Sequence, residues 1–237
     1  MRILPTRRIY KYIDNSMGDN CVLLCHLNSD FTDSGPHGMT PTASGVSISG
    51  VYKKFGAGEA LFNGDTDYLQ FPDHASFNFA ANLFSVDCWI RFNLANHSPQ
   101  MIWRTDSGGS SPRIELYYMS TGALQGYFKF YSTDGTDTCT VQTGNISIVL
   151  NQYYHIAAIR GWGGNPDRVA ITWDGQAQAT GLWNGTNAPN CTGPFVIGNS
   201  RAGNNDAFDG GIDEFRVTRY GPSKWTNNFI PLTEEYA

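Results

Sequence analysis

From Phe84 to Phe92 every second residue is apolar, Phe84, Val86, Cys88, Ile90 and Phe92 alternating with Ser85, Asp87, Trp89 and Arg91. Side chains along a strand point to its two faces in turn, so this period commits the segment to a long strand with one face on a core. The period recurs where Ile114, Leu116 and Tyr118 alternate with Arg113, Glu115 and Tyr117, and where Phe128 and Phe130 alternate with Tyr127, Lys129 and Tyr131. Tyr154 to Arg160 reads as a further strand. Val169, Ile171 and Trp173 form another that ends in Asp174-Gly175, a dipeptide favoured in two-residue hairpin turns. A last strand runs from about Ile212 to Arg219. No helical pattern extends over ten residues, and Pro72 to Asn78 offers a single turn.

Composition supports the same class. The 237 residues include 26 Gly, 19 Asn and 16 Asp but only 5 Glu and 5 Lys, an excess of turn formers over residues that build helix surfaces. Charged residues make up 16%, below the roughly 25% of an average soluble domain, and aromatics reach 14%. Many strands without crossover helices predict an all-β chain, an antiparallel β-sandwich or barrel. Its expected organisation is a basic N-terminal arm over residues 1–20 followed by one domain over 21–237.

Net charge is −5 overall, yet Arg2, Arg7, Arg8 and Lys11 sit within the first 13 residues. An acidic body argues against nucleic acid as a partner, because such binding needs a basic stripe on the folded surface. No apolar run approaches the roughly 20 residues of a membrane span, and the first residues carry no apolar stretch of the kind a secretory signal requires. The arm, with Ile3, Leu4, Ile9, Tyr10 and Tyr12 among its charges, suits docking on an acidic, partly apolar partner; a frayed terminus is the alternative. Cys21, Cys25, Cys88, Cys139 and Cys191 form no paired spacing and read as buried free thiols.

Catalytic constellations are missing. The chain has no phosphate loop, no Gly-x-Ser-x-Gly elbow and no His-x-x-x-His pair. A glycosidase needs two carboxylates flanking one bond, whereas the five Glu are scattered, and Asp213-Glu214, as neighbours on a strand, should face opposite ways. Asp213 itself should face the core with Phe215 and Val217, where a buried carboxylate must be hydrogen-bonded, ion-paired or metal-bound. Ca²⁺ favours such carboxylates, and acidic residues gather at Asp30 to Asp33 and Asp65 to Asp67. The lack of EF-hand spacing favours backbone amides at a sheet end as the partners of Asp213.

The outward aromatics form a second candidate site. If their strands pair, Arg113, Glu115 and Tyr117 lie beside Tyr127, Lys129 and Tyr131, with Trp89 expected on the same side. Rings that stack on sugar faces, flanked by charged hydrogen-bonding groups, suit glycan binding. Ordinary cross-strand pairing, or cover by a neighbouring subunit, is the alternative.

Several segments, in order, resemble laminin-G-like domains of the concanavalin A-like lectin/glucanase superfamily. They are Val22-Leu-Leu-Cys-His-Leu, Asp30-Phe-Thr-Asp-Ser-Gly, Ala60-Leu-Phe-Asn-Gly with Asp67-Tyr-Leu, the Phe84 to Phe92 strand, Tyr154-His-Ile-Ala-Ala-Ile-Arg, Ile171-Thr-Trp-Asp-Gly and Gly211-Ile-Asp-Glu-Phe-Arg-Val. The resemblance implies a jelly roll and often one Ca²⁺ at a sheet edge, which would fall to Asp67 and Asp213. It implies no catalysis, since the Glu-x-Asp-x-x-Glu motif of the glucanase branch is absent. The closing segment, Ile212 to Arg219 with Trp225 to Pro231, is similar to versions in structural proteins of tailed bacteriophages. The expectation is a non-enzymatic virion component of capsid or tail, forming a homo-oligomer, docked on other virion proteins through Arg2, Arg7, Arg8, Tyr10 and Lys11, with its remaining surface free for glycans. A soluble lectin acting outside a particle is the rival, and a glycoside hydrolase using Glu115 or Glu214 stands behind both.

Overall fold

Alternating sequences with Gly, Asn and Asp between them build strands joined by tight turns. In the computed structural model, which describes residues 20–185, 187–201, 206–219 and 225–236, the chain begins with β1 at Cys21–Cys25. Short strands follow: β2 at Thr42–Ser44, β3 at Ser47–Ser49, β4 at Glu59–Asn63 and β5 at Tyr68–Phe71. The long strands are β6 at Phe84–Phe92, β7 at Gln100–Asp106, β8 at Arg113–Gly122 and β9 at Gln125–Thr133. Next come β10 at Thr138–Gln142, β11 at Ile146–Ser147, β12 at Tyr153–Arg160, β13 at Arg168–Trp173 and β14 at Gln176–Leu182. The last two are β15 at Phe195–Ile197 and β16 at Asp209–Arg219. Among the described residues the only helical turns are the 3₁₀ turns Ala75–Phe77 and Trp162–Gly164, and no helix is long and apolar enough to cross a membrane.

These strands make two antiparallel sheets packed as a jelly-roll sandwich. The first runs β14-β13-β12-β6-β16-β4-β3, with β1 also on β16; the second runs β10-β9-β8-β7-β15-β5-β2, with β11 also on β9. The even positions of β6 face the second sheet as the alternation requires. Phe92 meets Tyr118 at 4.9 Å and Phe128 at 6.5 Å, and Phe84 meets Phe130 at 6.4 Å between ring centroids. Aromatic side chains bury about 150–250 Å² each, so this interleaved layer is the main source of cohesion between the sheets. All five cysteines are buried and free, and burial raises their thiol pKa values. The β13–β14 turn uses Asp174 at φ 48 and Gly175 at φ 74 as expected. A side chain at Gly175 would also strike the carbonyl of Phe229, which accepts no such intrusion because the Phe229 N–H is bonded back to the Gly175 carbonyl.

The outer face of the first sheet is not left to solvent. Residues 50–58 and the tail 225–236 cover it, and beneath them lies a layer of buried charge. Asp87 accepts from Arg216 Nε and Nη2 at 3.2 and 2.9 Å and lies 3.4 Å from His155, whose Nε2 also meets Tyr236 Oη at 3.0 Å. Glu59 is held by Arg91 and by the Tyr153 hydroxyl, and Arg91 extends to Asn93 and Asn151. Trp225 and Phe229 stack at 3.9 Å and stand edge-on to the His155 ring. Asp87, Arg216, Glu59 and Arg91 thus each have an oppositely charged partner, which low-dielectric burial demands. Burial pushes the Asp87 carboxyl up, but Arg216 and His155 hold it down at about 2. Asp87→Ala, which leaves the Arg216 charge buried without its partner, is expected to lower unfolding stability by about 3–5 kcal/mol in urea titrations.

Candidate functional site

With the central strands of the first sheet covered on both sides, the outer face of the second sheet brings side chains from long paired strands to solvent. β8 and β9 pair in the register Glu115↔Tyr131, Tyr117↔Lys129 and Met119↔Tyr127. Arg113, Glu115, Tyr117, Tyr127, Lys129 and Tyr131 therefore form one surface, on which each tyrosine is half-buried. The Arg113 guanidinium lies 4.7 Å from the Tyr131 ring centre, and the Lys129 ammonium lies 5.7 Å from it. Burial raises the Tyr117 hydroxyl to about 12, so it stays protonated and able to donate a hydrogen bond at any physiological pH.

A chain of ion pairs braces this surface. Arg104 donates from Nη1 to Glu115 Oε2 at 3.0 Å and from Nε to Asp106 Oδ2 at 2.6 Å. Arg201 reaches the same Asp106 at 3.1 Å and ties down the 107–110 loop through the carbonyls of Gly108 and Gly109. Arg113 Nε stands 3.4 Å from Glu115 Oε1. Burial raises the Glu115 pKa while Arg104 and Arg113 oppose it. Arg104, Asp106 and Arg201 were not among the sequence candidates. Strand β7, which carries Arg104 and Asp106, has a bulge between Met101 and Trp103 that interrupts the period-two signal, and it is buried along its length. Beyond the Arg113 end, Pro112 and Asp134 help line a cleft of about 420 Å³ with Asn78, Asn187, Pro189 and Asn190.

Trp89 does not belong to this surface. Its strand β6 is paired with β12 and β16 in the first sheet, so Trp89 points outward from the opposite layer, 6% exposed, against Phe55 at 5.8 Å and under the Lys54 ammonium at 3.8 Å. Alternation assigns a side chain to a face of its strand but not to a sheet. The arm residues Arg2, Arg7, Arg8, Tyr10 and Lys11 lie outside the described residues.

Comparison with known proteins assigns the architecture to a family. The family model described as the concanavalin A-like lectin/glucanase superfamily matches residues 63–223, and the chain belongs to that family. Among solved structures it is similar to domain 4 of AbnA, an extracellular GH43 arabinanase from Geobacillus stearothermophilus, in complex with arabinotriose. The TM-score is 0.63 at 17% identity, over 86% of this chain and 95% of that one. It is similar to the binding domain of Paraclostridial Mosquitocidal Protein 1 (TM-score 0.64, 14% identity, 90% of this chain and 50% of that one). It also resembles full-length tailspike protein 2 from Escherichia coli O157:H7 bacteriophage CAB120 (TM-score 0.58, 14% identity, 77% and 26%). The chain thus spans half of the toxin binding domain and about a quarter of the tailspike. No curated protein sequence matches it.

The Ca²⁺ that this family suggests can be tested on the two carboxylates. Asp67 Oδ2 accepts from the Asn63 N–H at 3.0 Å, closing its own loop, and Asp213 Oδ2 accepts from the N–H groups of Lys54 and Phe55 at 2.8 and 3.1 Å. Amide donors suit a carboxylate and repel a cation, and among the described residues no three His, Cys, Asp or Glu side chains gather as metal ligands. The residues do not fit a calcium site.

Asp213 also departs from its expected direction. A bulge between Asp213 and Arg216, with Glu214 at φ 52, inserts a residue opposite β6, so Phe215 and Val217 point into the core while Asp213, paired with Trp89, points out. The same bulge turns Glu214 to that covered side, where it meets His26 Nδ1 at 3.1 Å and the Tyr236 N–H at 2.9 Å, so the two neighbouring acids do not face opposite ways. Asp213 Oδ1 is buried with no hydrogen-bond partner, and burial lifts its pKa to about 7. A carboxyl that holds its proton more tightly in the folded state stabilises the fold near pH 4 and loses that contribution as pH rises through about 7. Urea midpoints measured between pH 4 and 7 are expected to fall less steeply for Asp213→Asn than for the parent; equal slopes would refute this.

Proposed function

We propose that this chain is a non-enzymatic carbohydrate-binding module, and that it serves as a structural or decoration component of a bacteriophage virion. The observation that carries the first part is the placement of Tyr117, Tyr127 and Tyr131 with Arg113, Glu115 and Lys129 on one face of the second sheet, each tyrosine and Lys129 partly exposed. Rigid rings provide apolar area for a sugar face, and the charged groups, locked by the Arg104 to Asp106 pairs, fix its orientation with little further loss of entropy. A binding role rather than hydrolysis is supported by the engagement of Glu115. Arg104 bonds one of its oxygens at 3.0 Å and Arg113 stands 3.4 Å from the other, which commits the carboxyl to bracing the sheet.

The virion part is supported by the similarity of the C-terminal segment to phage structural proteins and by the fold shared with a phage tailspike. The arm would dock the module on capsid or tail proteins, with the tyrosine face directed to host or environmental glycans.

On a glycan array the purified chain is expected to bind, and Tyr117→Ala to weaken its strongest interactions tenfold or more. Trp89→Phe, altered on the other sheet, should bind as the parent does. Polysaccharide cleavage lost on Glu115→Gln would overturn the non-enzymatic reading. Mass spectrometry of purified particles should find the chain, and deletion of Met1 to Asn15 should strip it from them; unchanged incorporation would refute docking through the arm.

A further inference from the structure

The neighbourhood of Lys129 narrows the class of sugar. Its cross-strand neighbours are Tyr117 on β8 and Gln142 on β10, and the residues two positions away on its own strand are Tyr127 and Tyr131. None is acidic, and among the described residues Lys129 makes no ion pair, whereas Arg104, Arg113, Asp106, Glu115 and Arg201 engage one another. In the turn after β9, Asp134 accepts from the N–H groups of Thr136 and Asp137 at 2.8 and 2.7 Å. The surface therefore places four cationic groups, Arg104, Arg113, Arg201 and Lys129, against two carboxylates, Asp106 and Glu115, on a chain whose net charge is −5. A lysine often guards a sheet edge against pairing with another chain, but β9 lies between β8 and β10 and has no edge to guard.

We infer that this face takes an acidic glycan, one bearing uronate or sialate carboxylates, and that Lys129 is the residue that selects the charge. The inference rests on the carbohydrate-binding reading above and adds its chemical class. The tyrosines would hold the ring while the ammonium, 5.7 Å from the Tyr131 ring centre, meets the carboxylate. Arg113, 26% exposed and lying over Tyr131, stands next along the same strip as a second donor. Because the rest of the molecule repels anions, the attraction is local and screened by salt over about 10 Å at 0.1 M.

The test is calorimetric titration of the full chain with trigalacturonate and 3′-sialyllactose, each alongside its carboxyl-reduced neutral counterpart. At least one acidic sugar is expected to bind tenfold or more tightly than its reduced form, with an affinity that falls as salt is raised. Lys129→Gln should remove most of that preference. Equal binding of acidic and reduced sugars, with Tyr117→Ala still abolishing both, would overturn the inference and leave the carbohydrate-binding reading standing. Absence of binding by every sugar form would overturn both. A preference kept in Lys129→Gln and lost in Arg113→Gln would overturn the assignment to Lys129.

Discussion

The ion pair between Asp87 and Arg216 is the constraint on which the arrangement of this molecule turns. β6 and β16 are central strands of the first sheet, and their outward positions carry Asp87, Arg91, Asp213 and Arg216 rather than apolar residues. Those charges can be covered because Asp87 pairs with Arg216 and His155, Arg91 pairs with Glu59, and Asp213 takes the Lys54 and Phe55 amides on one oxygen. Once satisfied, they become a floor on which the 50–58 loop and the tail can lie, with Tyr236 over Arg216 at 3.9 Å and Trp225 beside His155. The central strands β6 and β16 of the first sheet are thus buried on both faces. The second sheet keeps one face for solvent, and that is where aromatic rings and cations gather.

The two charge layers are built differently. Under the tail the acids and bases are nearly balanced and hidden, which suits holding two segments in one position and is salt-insensitive. On the second sheet the arginines brace one another through shared carboxylates, Asp106 bridging Arg104 and Arg201, while Lys129 is left outside the network. A surface whose supporting charges are locked and whose remaining cation is open loses little conformational freedom when a ligand arrives.

Much of this was legible from alternation. β6, β8, β9, β12 and β13 show it, because each buries one face against the core and its residues sort by parity. The pairing of Tyr117 with Lys129 and of Glu115 with Tyr131 follows from the same pattern once β8 and β9 are recognised as a hairpin. What parity cannot carry is the sheet to which a strand belongs, a long-range property of topology, and for that reason Trp89 was grouped with rings on the other layer. Nor can it carry a bulge: Glu214 has no glycine-like signature for its positive φ, yet that one inserted residue reverses the direction of Asp213. β7 was hidden for a related reason, since Arg104 and Asp106 look solvent-facing until their partners on β8 and in the 201 region are known.

Asn20 accepts a hydrogen bond from the Arg219 N–H, and β1 continues from it along β16 in the first sheet. The tyrosine face belongs to the other layer. Copies brought side by side with their second sheets facing one way would present the same cationic, ring-lined strip as one array. Weak contacts to a polymeric glycan could then add up across the array without any change in the single module.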